Sequence, residues 1–100
     1  MVEMKPVDLE GRVAVGVTVE LPKTRLIAIS TGRGYIMCGA LDVGLLNSRL
    51  ADREIVAGRA VGVRTLDDLL AGPLESVTDA ARRLGVHEGM SGREALRLMF

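Results

Sequence analysis

The only thiol, Cys38, and the only imidazole, His87, are the side chains of this 100-residue chain best suited to covalent or acid–base chemistry. Cys38 lies in Gly34-Tyr35-Ile36-Met37-Cys38-Gly39-Ala40-Leu41-Asp42, at the end of an apolar run and just ahead of a helix start. A thiolate placed between a strand end and a helix N-terminus has a lowered pKa and can act as a nucleophile. Gly39 would let a ligand approach the main chain there, and His87 or Asp42 could serve as helper. The competing reading is a small buried apolar side chain, the usual fate of a lone cysteine. Ile36 and Cys38 share a strand face, which favours that reading. A Cys38–His87 pair also requires a fold that brings the two within hydrogen-bond reach.

A second constellation is Gly58-Arg59-Ala60-Val61-Gly62-Val63-Arg64-Thr65. Arg64 precedes a helix start, where a guanidinium and free backbone donors can hold a carboxylate or phosphate. Arg59 alternates away from the Gly58, Ala60 and Gly62 face and accompanies Val61 and Val63. The spacing matches neither a Walker loop, which needs Gly-Lys-Ser/Thr, nor the three-glycine dinucleotide fingerprint. The bland alternative pairs Arg64 with Asp67 or Asp68 as a structural contact. Taken together, Gly39, Asp42, Arg59, Arg64 and Thr65 form the expected ligand-binding set, provided that the two strand-to-helix corners converge. No His/Cys spacing suits zinc and no Asp-rich loop suits calcium, so neither metal nor cofactor is expected.

The elements that must position these residues change period along the chain. Residues 3–9 alternate weakly, Glu10-Gly11 is a two-residue turn, and Arg12–Leu21 carries Val at positions 13, 15, 17 and 19. That period of two predicts a strand with the valine face toward the core and the other face lighter or wet. Its length suggests an unpaired edge that invites a second subunit. Pro22-Lys23-Thr24 breaks the pattern, and residues 25–29 and 35–40 read as third and fourth strands around the Thr31–Gly34 turn. Four such strands with short connections imply an antiparallel meander.

Asp42 then caps a helix over about 43–52, and residues 57–63 return as a strand parallel to the fourth. Thr65 and Asp68 open a helix over 66–70. Gly72 stops it, and Pro73 starts another that continues through Leu74, Val77, Ala81 and Leu84 to a left-handed cap at Gly85. Ser91–Glu94 is a capping box for a last helix. The chain is therefore expected to be one compact α+β domain over 1–100: the meander, a β-α-β crossover, and C-terminal helices packed on the sheet.

Composition narrows the function classes. Thirteen basic and thirteen acidic side chains give net charge zero, which lacks the electrostatic footprint of a nucleic-acid or anionic-membrane binder. Tyr35 and Phe100 are the only aromatics, too few for a base-stacking platform. Eleven of the basic residues are Arg, the side chain for bidentate carboxylate or phosphate contacts. One cysteine, no signal-peptide pattern and no long apolar run predict a cytoplasmic protein.

The segments GYIMCGALDVGLLN, AGRAVGVRTLDDLL, PLESVTDAARRLGV and GMSGREAL resemble the YunC-like family of small bacterial and archaeal proteins, a domain of unknown function. The resemblance spans nearly the whole chain and is most specific around Cys38 and Arg59–Thr65. It implies a compact α+β fold and supplies no reaction to carry over. Three readings of function stand beside it. The first is a binding or regulatory module for a small anionic ligand. The second is a cysteine-dependent enzyme using Cys38 and His87, and the third is a structural domain acting as a homodimer or higher homo-oligomer.

Overall fold

The computed structural model describes residues 1–100. Four strands come first: β1 (Val2–Leu9), β2 (Arg12–Leu21), β3 (Thr24–Ser30) and β4 (Gly34–Met37). After them follow α1 (Val43–Ser48), β5 (Val56–Arg59), α2 (Leu66–Ala71), β6 (Ser76–Val77), α3 (Asp79–Arg83) and α4 (Gly92–Arg97), with a single 3-10 turn at Ala51–Arg53. The six strands form one sheet in sequence order, antiparallel throughout except for the parallel β4–β5 pair. The fold is thus α+β, with the expected meander and the expected parallel crossover.

The turns follow from their residues. At the β1–β2 hairpin both loop residues have positive φ, Glu10 at 57° and Gly11 at 90°, the geometry that matches strand twist across a two-residue loop. Asp8 Oδ1 accepts from the Gly11 amide at 3.1 Å. At the β2–β3 hairpin Pro22 sets one dihedral and Lys23 takes φ 60°. That left-handed position is uncommon for a residue with a Cβ.

Which face of β2 meets the helices is the main departure from expectation. The core side is the even-numbered one: Ala14 and Gly16 are buried, whereas Val13 and Val15 are 61% and 40% exposed. The reason is steric. A Cβ on Gly16 would lie 2.7 Å from Leu66 Cδ1 of α2, so the helix can sit this close only over small residues. The valine row faces the other way. Nor is β2 an edge, since β1 and β3 pair with it on either side.

The main core joins Val7, Ile27, Ile29 and Ile36 of the sheet to Leu69, Leu70 and Leu96 of the helices above it. Helices α2 and α4 cover that face. Val43, Leu46 and Ala57 are buried outside this cluster, where α1 packs on β5. Thr78 binds two elements together from a buried position: its Oγ1 accepts from Ala57 N of β5 at 3.1 Å and from Ala81 N of α3 at 3.2 Å.

The segment after Pro73 is extended, not helical as its apolar spacing suggests. Leu74 N donates to Met90 O and Glu75 N to Arg59 O, and Ser76 and Val77 pair with β5. These amides are committed sideways, so no helical ladder can form until Thr78 caps α3. Leu84 consequently stays exposed. Downstream, Gly85 (φ 97°) ends α3, with Gly85 N bonded to Arg82 O and Val86 N to Ala81 O, a Schellman cap. The Ser91–Glu94 capping box opens α4 as expected.

Candidate functional site

Both sequence-identified corners lie at the end of the sheet where β4 and β5 stop, yet they open into separate concavities. In the first, β4 ends at Met37 and the chain turns through Gly39–Leu41 to Asp42, whose Oδ1 accepts from Leu45 N at 3.0 Å and caps α1. Arg59, the last residue of parallel β5, donates from Nε to Gly39 O at 3.2 Å and from NH1 to Glu75 Oε2 at 2.9 Å. Gly39, Asp42 and Arg59 therefore do come together. They line a cleft of about 660 Å³ with Glu75, Arg82 and Glu88 on its rim.

The charges of this cleft are already matched. Arg82 holds Glu88 in a bidentate contact, 2.8 Å on each side. Hydrogen bonding from Arg82 first, then from the Glu88 backbone, draws the Glu88 carboxyl down to about 2, and the same pair raises the Arg82 pKa. Asp42, Glu75 and Glu88 outnumber Arg59 and Arg82 among the lining residues. An incoming anion would have to displace a carboxylate from each guanidinium.

The second corner is built differently. Thr65 Oγ1 accepts from Asp68 N and Asp68 Oδ2 accepts from Arg64 N, both at 3.1 Å, so α2 is capped by its own residues. This fixes the Arg64 backbone and leaves its side chain free. None of the four ion pairs of the chain includes Arg64 or Lys23. Arg25 NH1 donates to Arg64 O at 3.0 Å, while its NH2 meets Glu20 Oε1 at 2.8 Å. Lys23, Thr24, Arg25, Val63 and Arg64 enclose a concavity of about 470 Å³ with no carboxylate in its lining. Thr65 lies in a neighbouring hollow with Glu3, Lys5 and Asp67.

Cys38 and His87 line neither concavity. Cys38 is 6% exposed and belongs to the main core. His87 is exposed, with Nδ1 3.0 Å from Glu88 O, and no hydrogen bond joins it to Cys38. No group of three or more His, Cys, Asp or Glu side chains is placed to hold a metal ion. No helix is long and apolar enough to cross a membrane. The residues absent from the sequence-based set are Lys23 and Arg25. Their signal was the Pro-Lys turn flanked by a second cation, which carries meaning only once the hairpin is known to reach Arg64.

The chain is thus a single six-stranded sheet with helices packed on it, an α+β protein whose polar concavities are not lined by Cys38. The chain belongs to the family described as Domain of unknown function (DUF1805), whose model matches residues 37–99. It is similar to the "Uncharacterized protein YunC" of Bacillus subtilis (strain 168), 62% identical over 99 residues, covering 99% of this chain and 98% of that one. The fold is also that of a crystal structure of a protein of unknown function, TA1206 from Thermoplasma acidophilum. That match has a TM-score of 0.89 and 26% identity, and covers 100% of this chain and 94% of that one.

Proposed function

We propose that the protein is a binding module for a small anionic ligand, a phosphate or carboxylate compound, held between Lys23, Arg25 and Arg64. The observation that carries this reading is the meeting of three cationic side chains, two of them without ion-pair partners, around one concavity with no acid in its lining. In a chain of net charge zero, such a local excess favours anions through convergent charge-assisted hydrogen bonds. Electrostatics decides against the larger cleft, where carboxylates already occupy both guanidinium groups. Binding rather than turnover is favoured because the lining holds no His, Cys, Asp or Glu, the side chains that most often serve as general base or thiolate nucleophile.

Inorganic phosphate and short dicarboxylates, titrated at constant ionic strength, test the reading. Amide resonances of residues 23–25 and 63–65 are expected to shift saturably, with a rise in melting temperature. Both effects should vanish in a Lys23→Ala/Arg64→Ala double variant. Absence of any saturable shift across the panel overturns it.

A further inference from the structure

The helix-bearing face of the sheet changes character along β1 and β2. At Val7, Ala14 and Ile29 it belongs to the core. Beyond Gly16 the same side carries Glu3 opposite Thr18 and Glu20 opposite Arg25. Glu3, Lys5 and Glu20 are exposed and Thr18 is half-buried. Helix α2 starts over Gly16, and its first residues wall a hollow of about 280 Å³ with these polar strand ends.

Arg25 lines this hollow and the cationic concavity alike. Its NH2 meets Glu20 and its NH1 meets Arg64 O. Arg64 and Thr65, successive in the chain, line one space each. The two spaces thus adjoin across a single side chain. We propose that together they take a sugar phosphate, with the phosphoryl group among Lys23, Arg25 and Arg64 and the hydroxyl-bearing carbons among Glu3, Lys5, Thr18, Thr65 and Asp67. This rests on the anion-binding reading and adds the class of compound.

The first argument is the contrast between the two linings. The cationic concavity has no acid, whereas the hollow mixes the carboxylates of Glu3 and Asp67 with the Lys5 ammonium and two threonine hydroxyls. None of the four ion pairs takes up Glu3, Lys5 or Asp67. A carboxylate only accepts hydrogen bonds, an ammonium only donates, and a hydroxyl does both. Each sugar hydroxyl can therefore give its proton to a carboxylate while accepting from Lys5 or a threonine. A second anionic group would meet Glu3 and Asp67, and an ammonium would meet Lys5 and Arg25. An uncharged polyol meets neither penalty.

Charge and size point the same way. Three cations suit a phosphate monoester, which is close to doubly charged at neutral pH, better than a single carboxylate. Inorganic phosphate would leave most of the space unfilled. The hollow joined to the concavity of about 470 Å³ falls within the roughly 300–1,000 Å³ of small-molecule sites. Half-buried Val63 and Leu66 supply apolar surface for the carbon-bound hydrogens of a sugar.

Isothermal titration of the full chain at constant ionic strength tests this, with inorganic phosphate, butyl phosphate and the terminal phosphates of ribose and glucose. The sugar phosphates are expected to bind at least about tenfold tighter than butyl phosphate, as one or two hydrogen bonds to charged groups supply. Glu3→Ala and Asp67→Ala should each pull that ratio toward one. Both residues are exposed, so the variants keep the fold, checked by far-UV circular dichroism. Sugar phosphates that bind no tighter than butyl phosphate overturn the inference and leave the anion site standing. So does a ratio that survives both substitutions. A wild type that binds none of these compounds overturns the anion site as well.

Discussion

The guanidinium of Arg25 donates to the main-chain carbonyl of Arg64 at 3.0 Å, bridging thirty-nine residues of sequence. This bond fastens the β2–β3 hairpin to the loop that leaves β5, two segments with no strand pairing between them. It also spends one face of Arg25 on structure while the side chain still lines the concavity with Lys23 and Arg64. The strut and the cationic site are one construction.

Removing that strut should weaken anion binding by more than the loss of one charge. Arg25→Ala deletes a charge-assisted contact and leaves the Arg64 loop held only by its α2 cap, so phosphate affinity is expected to fall about tenfold to a hundredfold. Arg25→Lys keeps the charge without the fork that reaches Glu20 and Arg64 together, and should lie between. Isothermal titration reads the series. Equal affinity in all three proteins would remove Arg25 from the site.

Local signals made much of this fold legible. Arg12–Leu21 is a strand over the expected residues, Glu10-Gly11 is the hairpin turn, and Asp42, Thr65 and Ser91 cap the helices they were expected to cap. Each signal is contained within a few residues. Three features depend on distant partners and were not legible. The valine row looks like a core face until α2 is seen to need Ala14 and Gly16 beneath it. Leu74 and Val77 fit a helical stripe until the amides of Leu74 and Glu75 are seen to bond to Met90 O and Arg59 O. Arg59 and Arg64 lie five residues apart, but Gly62 takes φ 73° between them and they end in different concavities.

Cys38 should behave as a core residue. With 6% exposure inside the main cluster, its alkylation by iodoacetamide at neutral pH is expected to require opening of the fold and to follow the unfolding equilibrium. Cys38→Ser places a hydroxyl among aliphatic side chains and should cost about 1–3 kcal/mol in urea titrations. Rapid alkylation of the folded protein would return the thiol to the list of reactive groups.

Gly92 marks the closest approach of α4 to α2. A Cβ there would run into the Leu69 carbonyl oxygen and stand 2.7 Å from Ile36 Cδ1. The first obstacle is backbone, so Gly92→Ala must push the helices apart, at the upper end of the roughly 1–3 kcal/mol of overpacking or beyond it. Gly58→Ala meets only the end of the Leu74 side chain, at 2.8 Å, which can rotate, and should cost less. Denaturation midpoints of the two variants check the order, and a Gly92→Ala protein as stable as wild type would mean that α4 is not seated on α2 this closely.

Acid should act first on the loop between α3 and α4. The Glu88 carboxyl is held at about 2 by Arg82 and by its own backbone, against about 4.3 for a free glutamate. A depressed carboxylate stabilises the fold above its unfolded pKa, and that contribution fades as pH falls from about 4.3 toward about 2. The Glu94 carboxyl, lowered by its bonds from Ser91, loses stabilisation in the same direction. Both groups are at the surface, so the effect on overall melting is small and high salt reduces it. Amide exchange is the sharper readout. Protection across 85–91 should drop between pH 4 and 2 before that of β2 and β3, and Glu88→Gln should flatten the drop without altering exchange in the sheet. The same protonation releases Arg82 at the rim of the larger cleft. An anion site appearing there only in acid, and lost in Arg82→Ala, would show that carboxylate competition is what closes this cleft to anions at neutral pH.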